Sequence, residues 1–243
     1  MSSSSCSPQD NALLAALPEA ELKLLLPHFK QVKLAKNEVL HEEGEPPQQV
    51  YFLTRGVAAL TLSTDEGKSL DLSLIGREGI VGERAIFEGG AIATGCEMLT
   101  KGSAYAMKPQ FFNEEFQGGG KLHDLIMRTL EARLMETSQT ALCAQTHPME
   151  QQLSRWLLTF ADRHAQEQVP LTHEKIAQML GVRREGITIA IGALAKAGLL
   201  ETSRGLISIV DRKGLEEMSC NCYQVTKEGA ERAYHLKRDM KQS

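Results

Sequence analysis

The sequence predicts an α+β chain: an antiparallel roll, barrel or sandwich, then a long helix, then a smaller helical domain closed by a hairpin. Three observations predict it. Between about residues 31 and 110, short apolar runs alternate with glycines too closely spaced for helices. From Lys121 the apolar period switches to alternating threes and fours. Beyond Thr172, two short amphipathic segments flank a glycine at the spacing of two crossing helices.

Composition bounds the possibilities. The 243 residues suit one large or two modest domains, and 42% hydrophobic with 24% charged residues is ordinary globular usage. Net charge is −4, which excludes a uniformly basic coat, but residues 1–146 carry −6 and residues 147–243 carry +2. That split permits a polyanion partner for the C-terminal part. Cys6, Cys96, Cys143, Cys220 and Cys222 are odd in number and scattered, which predicts a reducing, cytoplasmic setting and no disulfide framework. The N-terminal Ser-rich stretch has no signal-peptide pattern, and no apolar run approaches a membrane span.

Residues 1–10 read as a disordered tail. Leu13, Leu17, Leu22, Leu25, Leu26 and Phe29 predict short helices around Pro18 and before Pro27, opening a domain over 11–120. Within it, Val50–Leu53 and Val57–Leu62 are apolar runs, and Leu70, Leu72 and Leu74 alternate strictly, all bounded by glycines.

A long helix is predicted over 121–146. Met127, Leu130, Leu134, Thr137, Ala141 and Ala144 fall on one heptad seam and are read as a dimer interface, with burial inside one chain as the alternative. Leu122, Leu125 and Ile126 lie off the seam and would pack on the roll. Pro148 ends the helix and places a hinge at 145–149.

The next domain spans 147–218. Leu153, Trp156, Leu157 and Phe160 share one helix face. Thr172 is suited to cap a helix over His173–Leu180, and Arg183 opens a second helix to about Ala197. Ala177 is small where two helices would cross, and Gly181 suits the left-handed turn between them. Apolar Ile176, Leu180, Val182, Ile187, Ile191 and Leu194 fall on the inner side. Arg183, Arg184, Glu185, Thr188 and Lys196 remain for the other face or leading end, a set able to read guanine, cytosine and thymine edges in a major groove. Glu201–Val210 reads as a hairpin with Ser203-Arg204-Gly205 at its tip, a wing that would bring Arg204 to phosphate. Thr172, Arg183, Arg184, Glu185, Thr188 and Arg204 are thus the candidate DNA contacts; an ordinary helical hairpin with a solvated face is the plain alternative.

With these pieces in place, residues 17–218 resemble a bacterial transcription regulator of the CRP/FNR superfamily, the cyclic AMP receptor protein type. The resemblance rests on Glu43-Gly44-Glu45, Val50–Leu53 with Arg55-Gly56, Gly79–Glu83, the long helix with Thr137-Ser138, and the segment Thr172–Leu200. It implies a cyclic-nucleotide-binding-like jelly roll, a long dimerisation helix, a winged helix-turn-helix on a near-palindromic operator, and RNA polymerase as a further partner. It places an effector pocket at Gly82, Glu83, Arg84, Thr94, Thr137 and Ser138. Cyclic AMP is disfavoured, because Ala93 stands where the family's phosphate-binding arginine belongs and Arg84 lies one place past Glu83. In the recognition helix Arg184-Glu185 match the family pattern, but Ile189 replaces its later arginine.

An iron–sulfur cluster is disfavoured because Cys6 alone precedes the roll. His28 and His41 are available for haem, although a lone histidine is usually a surface or core residue. In the extension 219–243, Cys220 and Cys222 are too few for a closed zinc site and read as isolated thiols near a packing helix; a thiol- or metal-dependent sensor acting through them is the alternative. No nucleophile elbow, phosphate-binding glycine loop or helical His/Glu metal pair is present, so no catalysis is expected.

Overall fold

The computed structural model describes residues 6–65, 69–87 and 93–234. Two small helices, α1 (Ala12–Ala15) and α2 (Glu19–Leu25), open the chain. Residues 6–10, read from sequence as part of a disordered tail, lie against the roll instead. The Tyr105 hydroxyl donates to the Cys6 carbonyl at 2.5 Å. Buried Asn11 caps α1 through its Oδ1 and donates its Nδ2 to the carbonyls of Leu53 and Gly79, each at 2.8 Å. One buried amide therefore anchors a segment whose composition signals only solvent.

The roll comprises β1 (Lys30–Leu34), β2 (Val39–His41), β3 (Val50–Arg55), β4 (Ala58–Ser63), β5 (Ser69–Ile75), β6 (Ile80–Val81), β7 (Gly95–Met98) and β8 (Gly102–Met107). They form two antiparallel four-stranded sheets, ordered β1-β8-β3-β6 and β2-β7-β4-β5. Leu34, Leu40, Leu53, Leu60, Ile75, Val81 and Met98 form one buried cluster of the roll. The leucine alternation on β5 does not separate a core face from a solvent face. Asp71 and Ser73 are buried between the leucines, because both faces of the strand are covered.

Helix α3 (Pro109–Gln117) leads into the long helix α4 (Gly120–Thr146). Its first turns pack on the roll as the spacing anticipates: Leu122, Leu125 and Ile126 are buried with Phe52, Ile80 and Phe112. Each such side chain contributes about 1.5–3 kcal/mol on leaving water.

The C-terminal domain follows Pro148, the cap of α5 (Met149–His164). Then come β9 (Gln168–Val169), α6 (His173–Leu180), α7 (Arg184–Lys196), β10 (Leu200–Ser203), β11 (Leu206–Ile209), α8 (Arg212–Met218) and α9 (Cys222–Tyr234). The hairpin has a third strand, β9, pairing with β11, too short for a periodicity to reveal. Arg212 ties this domain together, bonding Asp162 at 2.5 Å, Glu167 at 2.8 Å and Glu216 at 3.0 Å.

This domain shares one hydrophobic core with the roll: Val57, Ala59, Leu74 and Leu99 cluster with Trp156, Leu157, Met179 and Ile191. Polar ties join the same surfaces. Lys175 pairs with Glu97, and the Lys36 ammonium donates to the Pro170 carbonyl at 2.7 Å. The extension then turns back, laying α9 along α4, where a side chain at Gly229 would run into Met135.

Candidate nucleic-acid interface and effector pocket

The two crossing helices form as their spacing requires. Thr172 caps α6, its hydroxyl accepting from the Lys175 amide at 3.2 Å. Gly181 has φ +65° and the next amide, Val182 N–H, returns to the Ala177 carbonyl at 3.0 Å. That left-handed turn carries little cost only for glycine. Ile176, Ala177, Leu180, Ile187, Ile191 and Leu194 are buried, which fixes α7 against α6 and orients its remaining face outward.

That outward face carries the candidate residues. Arg183, the helix N-cap, and Arg184, Glu185 and Thr188 are all exposed, with Ile189 70% exposed beside them. Lys196 is exposed at the other end of α7. Two cationic side chains thus sit at a helix N-terminus, whose free amides and dipole also favour an anion. The nearest carboxylate to Arg184 is Glu174 at 3.9 Å, with both side chains in solvent, a contact worth little. His173, not anticipated from sequence, shares a hydrogen bond of 3.1 Å with Thr188 and holds that side chain to α6. Arg204 is exposed at the β10–β11 tip.

The candidate effector residues do not all converge. Gly82 (φ +87°) leaves no room for a Cβ, which would stand 2.5 Å from the Gln49 carbonyl oxygen, so the fold demands this glycine whatever the ligand. Glu83 is buried, but it pairs with Arg133 of α4, a residue that sequence reasoning missed. Arg133 also donates to the Ile80 carbonyl at 3.1 Å. Arg84, also in the expected set, is exposed with its guanidinium over the Phe87 ring at 5.4 Å; it follows Glu83 on the 3-10 turn Glu83–Ile86, where successive side chains point about 120° apart. Thr94 Oγ1 and His41 Nδ1 are buried and have no hydrogen-bond partner among the described residues. Burial holds the His41 imidazole below its usual pKa. Thr137 is half-buried on α4, and Ser138 is exposed with its hydroxyl donating to the Leu134 carbonyl of its own helix at 2.8 Å. Along the seam, Met127, Leu134, Ala141 and Ala144 are exposed, while Leu130 and Thr137 are half-buried.

The cysteines of the extension are not isolated. Cys220 and Cys222 are buried against Cys143 of α4, with Cys143 Sγ 3.5 Å from Cys220 Sγ and His147 Nδ1 3.6 Å from Cys222 Sγ. Cys143 and His147 stand four residues apart at the end of a helix, a signal legible in the sequence once the helix end is placed.

Known proteins share this arrangement. Residues 31–118 match the family described as Cyclic nucleotide-binding domain, and residues 151–218 match the Crp-like helix-turn-helix domain. The CRP-like cAMP-activated global transcriptional regulator of Mycobacterium tuberculosis is 22% identical over 198 residues, covering 79% of this chain and 88% of that protein. Transcriptional regulator SdrP of Thermus thermophilus is 26% identical over 181 residues, covering 72% and 85%. Among solved structures, FixK2 from Bradyrhizobium japonicum aligns with TM-score 0.67 at 17% identity over 79% of this chain and 98% of that one. A crp/fnr family regulator from Eubacterium rectale aligns with TM-score 0.66 at 18% identity over 85% and 96%. With a cyclic nucleotide-binding domain and a Crp-like helix-turn-helix joined through one long helix, the chain belongs to the CRP/FNR family of DNA-binding transcription regulators.

Proposed function

We propose that the protein acts as a homodimer, joined along the α4 seam, that places two α7 helices in successive major grooves of a near-palindromic operator. The observation carrying this reading is the division of α7: its apolar side is buried and its Arg183–Arg184 end is exposed. Glu185 and Thr188 supply further base contacts, while Thr172 and Arg204 approach the phosphates. RNA polymerase is the further partner through which such a dimer would act on transcription.

The effector belongs to a class other than cyclic AMP. A buried cyclic phosphate needs a cation, yet residue 93 is alanine, Arg84 faces outward on Phe87, and Arg133 holds Glu83. The M. tuberculosis relative is described as cAMP-activated; the residues here do not fit that ligand. An effector near Thr94, His41 and Thr137 would act by binding one arrangement of roll and α4 better than another.

Selection from random duplexes with the full-length protein, followed by footprinting, tests the reading. The expected product is a pair of half-sites about 10 base pairs apart, bound with an affinity that falls steeply with salt. Recovery of no preferred sequence would overturn it.

A further inference from the structure

At the junction of α4 with the C-terminal extension, four side chains from distant parts of the chain meet. Cys143 and His147 project from the last turn of α4 and the residue after it. Cys220 lies between α8 and α9, and Cys222 begins α9. The three sulfurs and one imidazole nitrogen all lie within 4.8 Å of one another. The cysteines are 0%, 5% and 0% exposed, while His147 stands at the edge of the cluster.

We propose that Cys143, His147, Cys220 and Cys222 form a closed, four-coordinate site for a thiophilic divalent cation of the zinc class. Tetrahedral coordination with metal–sulfur bonds near 2.3 Å and metal–nitrogen bonds near 2.0 Å puts ligand atoms about 3.5–3.8 Å apart. The Cys143–Cys220 and Cys222–His147 separations of 3.5 and 3.6 Å already match. Three thiolates and an imidazole favour zinc over magnesium or calcium, whose ligands are oxygens. Metal entry displaces three thiol protons to solvent, leaving a complex with one net negative charge. An outer group suits that charge: Gln139 donates from Nε2 to Cys222 Sγ at 3.1 Å. All four positions are filled by protein, so the site holds structure and leaves no place for a substrate.

Its location gives it a further consequence. The ligands bridge the end of α4, directly before the Pro148 hinge, and the segment that follows the wing. A bound ion would fix the winged domain relative to the long helix, and its loss would release that constraint. This second step rests on the DNA-binding reading; the metal site does not.

The test uses full-length protein purified under reducing conditions, stripped with a chelator, and titrated with Zn(II) or Co(II) in the absence of DNA. The expected result is one ion per chain. The Co(II) form should show the intense visible bands of tetrahedral coordination with thiolate-to-metal charge transfer. Zn(II) should protect Cys143, Cys220 and Cys222 from alkylation while Cys6 reacts. Losing an outer-shell partner costs 10–100-fold in affinity, so His147→Ala and Cys222→Ser should each weaken binding by more than about 100-fold. His147 is partly exposed, so its variant keeps the test valid should a cysteine variant misfold. No stoichiometric uptake by folded, reduced wild-type protein, or a six-coordinate cobalt spectrum, would overturn the site. A Cys143–Cys220 disulfide with no metal uptake after reduction would also overturn it and favour a thiol switch. Operator affinity compared between stripped and loaded protein then tests the constraint: a change supports it, and equal affinities overturn that second step alone.

Discussion

The indole Nε1 of Trp156 on α5 donates to Asp71 Oδ2 on β5 at 2.8 Å, inside the contact between the winged domain and the roll. The other carboxylate oxygen, Oδ1, is buried with no hydrogen-bond partner among the described residues, and desolvation pushes the Asp71 pKa up to about 7. Glu136 of α4 lies close enough to raise it further, while Arg155 of α5 pulls the other way. Glu136 is itself tied to β5 by the Ser73 hydroxyl at 2.7 Å. Asp71 therefore holds its proton in the folded chain over a range where the unfolded chain has released it.

The sign of the pH effect follows. With the folded value raised from 3.8 to about 7, the native state binds more protons across that interval. Stability contributed by this group is complete below 3.8, declines as pH rises, and is lost above about 7. Urea denaturation followed by the emission of Trp156, the only tryptophan, should give a midpoint that drops across this interval. Asp71→Asn should flatten the dependence; an unchanged slope in that variant would assign the effect to another group.

Glu83 and Arg133 form a buried ion pair between the roll and α4. Removing one member of such a pair strands the other in a low-dielectric setting, so Glu83→Gln should lose about 3–5 kcal/mol. The double variant Glu83→Gln/Arg133→Met should recover part of that loss, a coupling readable from a denaturant double-mutant cycle.

Leu134 is 70% exposed on the α4 seam, with Met127 46% exposed one heptad earlier. Exposed apolar residues aligned along one helix face are suited to a second copy of that helix. Leu134→Glu should shift sedimentation from dimer toward monomer while leaving the far-ultraviolet circular dichroism intact. A wild-type protein that sediments as a monomer at micromolar concentration would remove the interface.

Arg184 is exposed at the start of α7 and only loosely held by Glu174. Arg184→Ala should cost about 1–3 kcal/mol in operator binding and relax preference at one base pair per half-site. Arg204→Ala should weaken all duplexes alike and lower the salt slope by about one. Competition binding against operator and scrambled duplexes separates the two outcomes.

The sequence by itself determined the elements whose causes are local. Glycine punctuation gave the roll, alternating threes and fours gave α4, and Ala177 with Gly181 gave the crossing helices, because backbone conformation and one-sided burial act within a few residues. It also records alanine at position 93, where the resemblance leads one to expect a phosphate-binding arginine. Only the tertiary structure decided which distant groups meet. Arg133 reaches Glu83 across fifty positions, Trp156 reaches Asp71 across eighty-five, and Cys220 finds Cys143 across seventy-seven. Such encounters depend on how whole elements pack, and packing is fixed by the sum of many weak contacts. No single spacing in the chain records that sum.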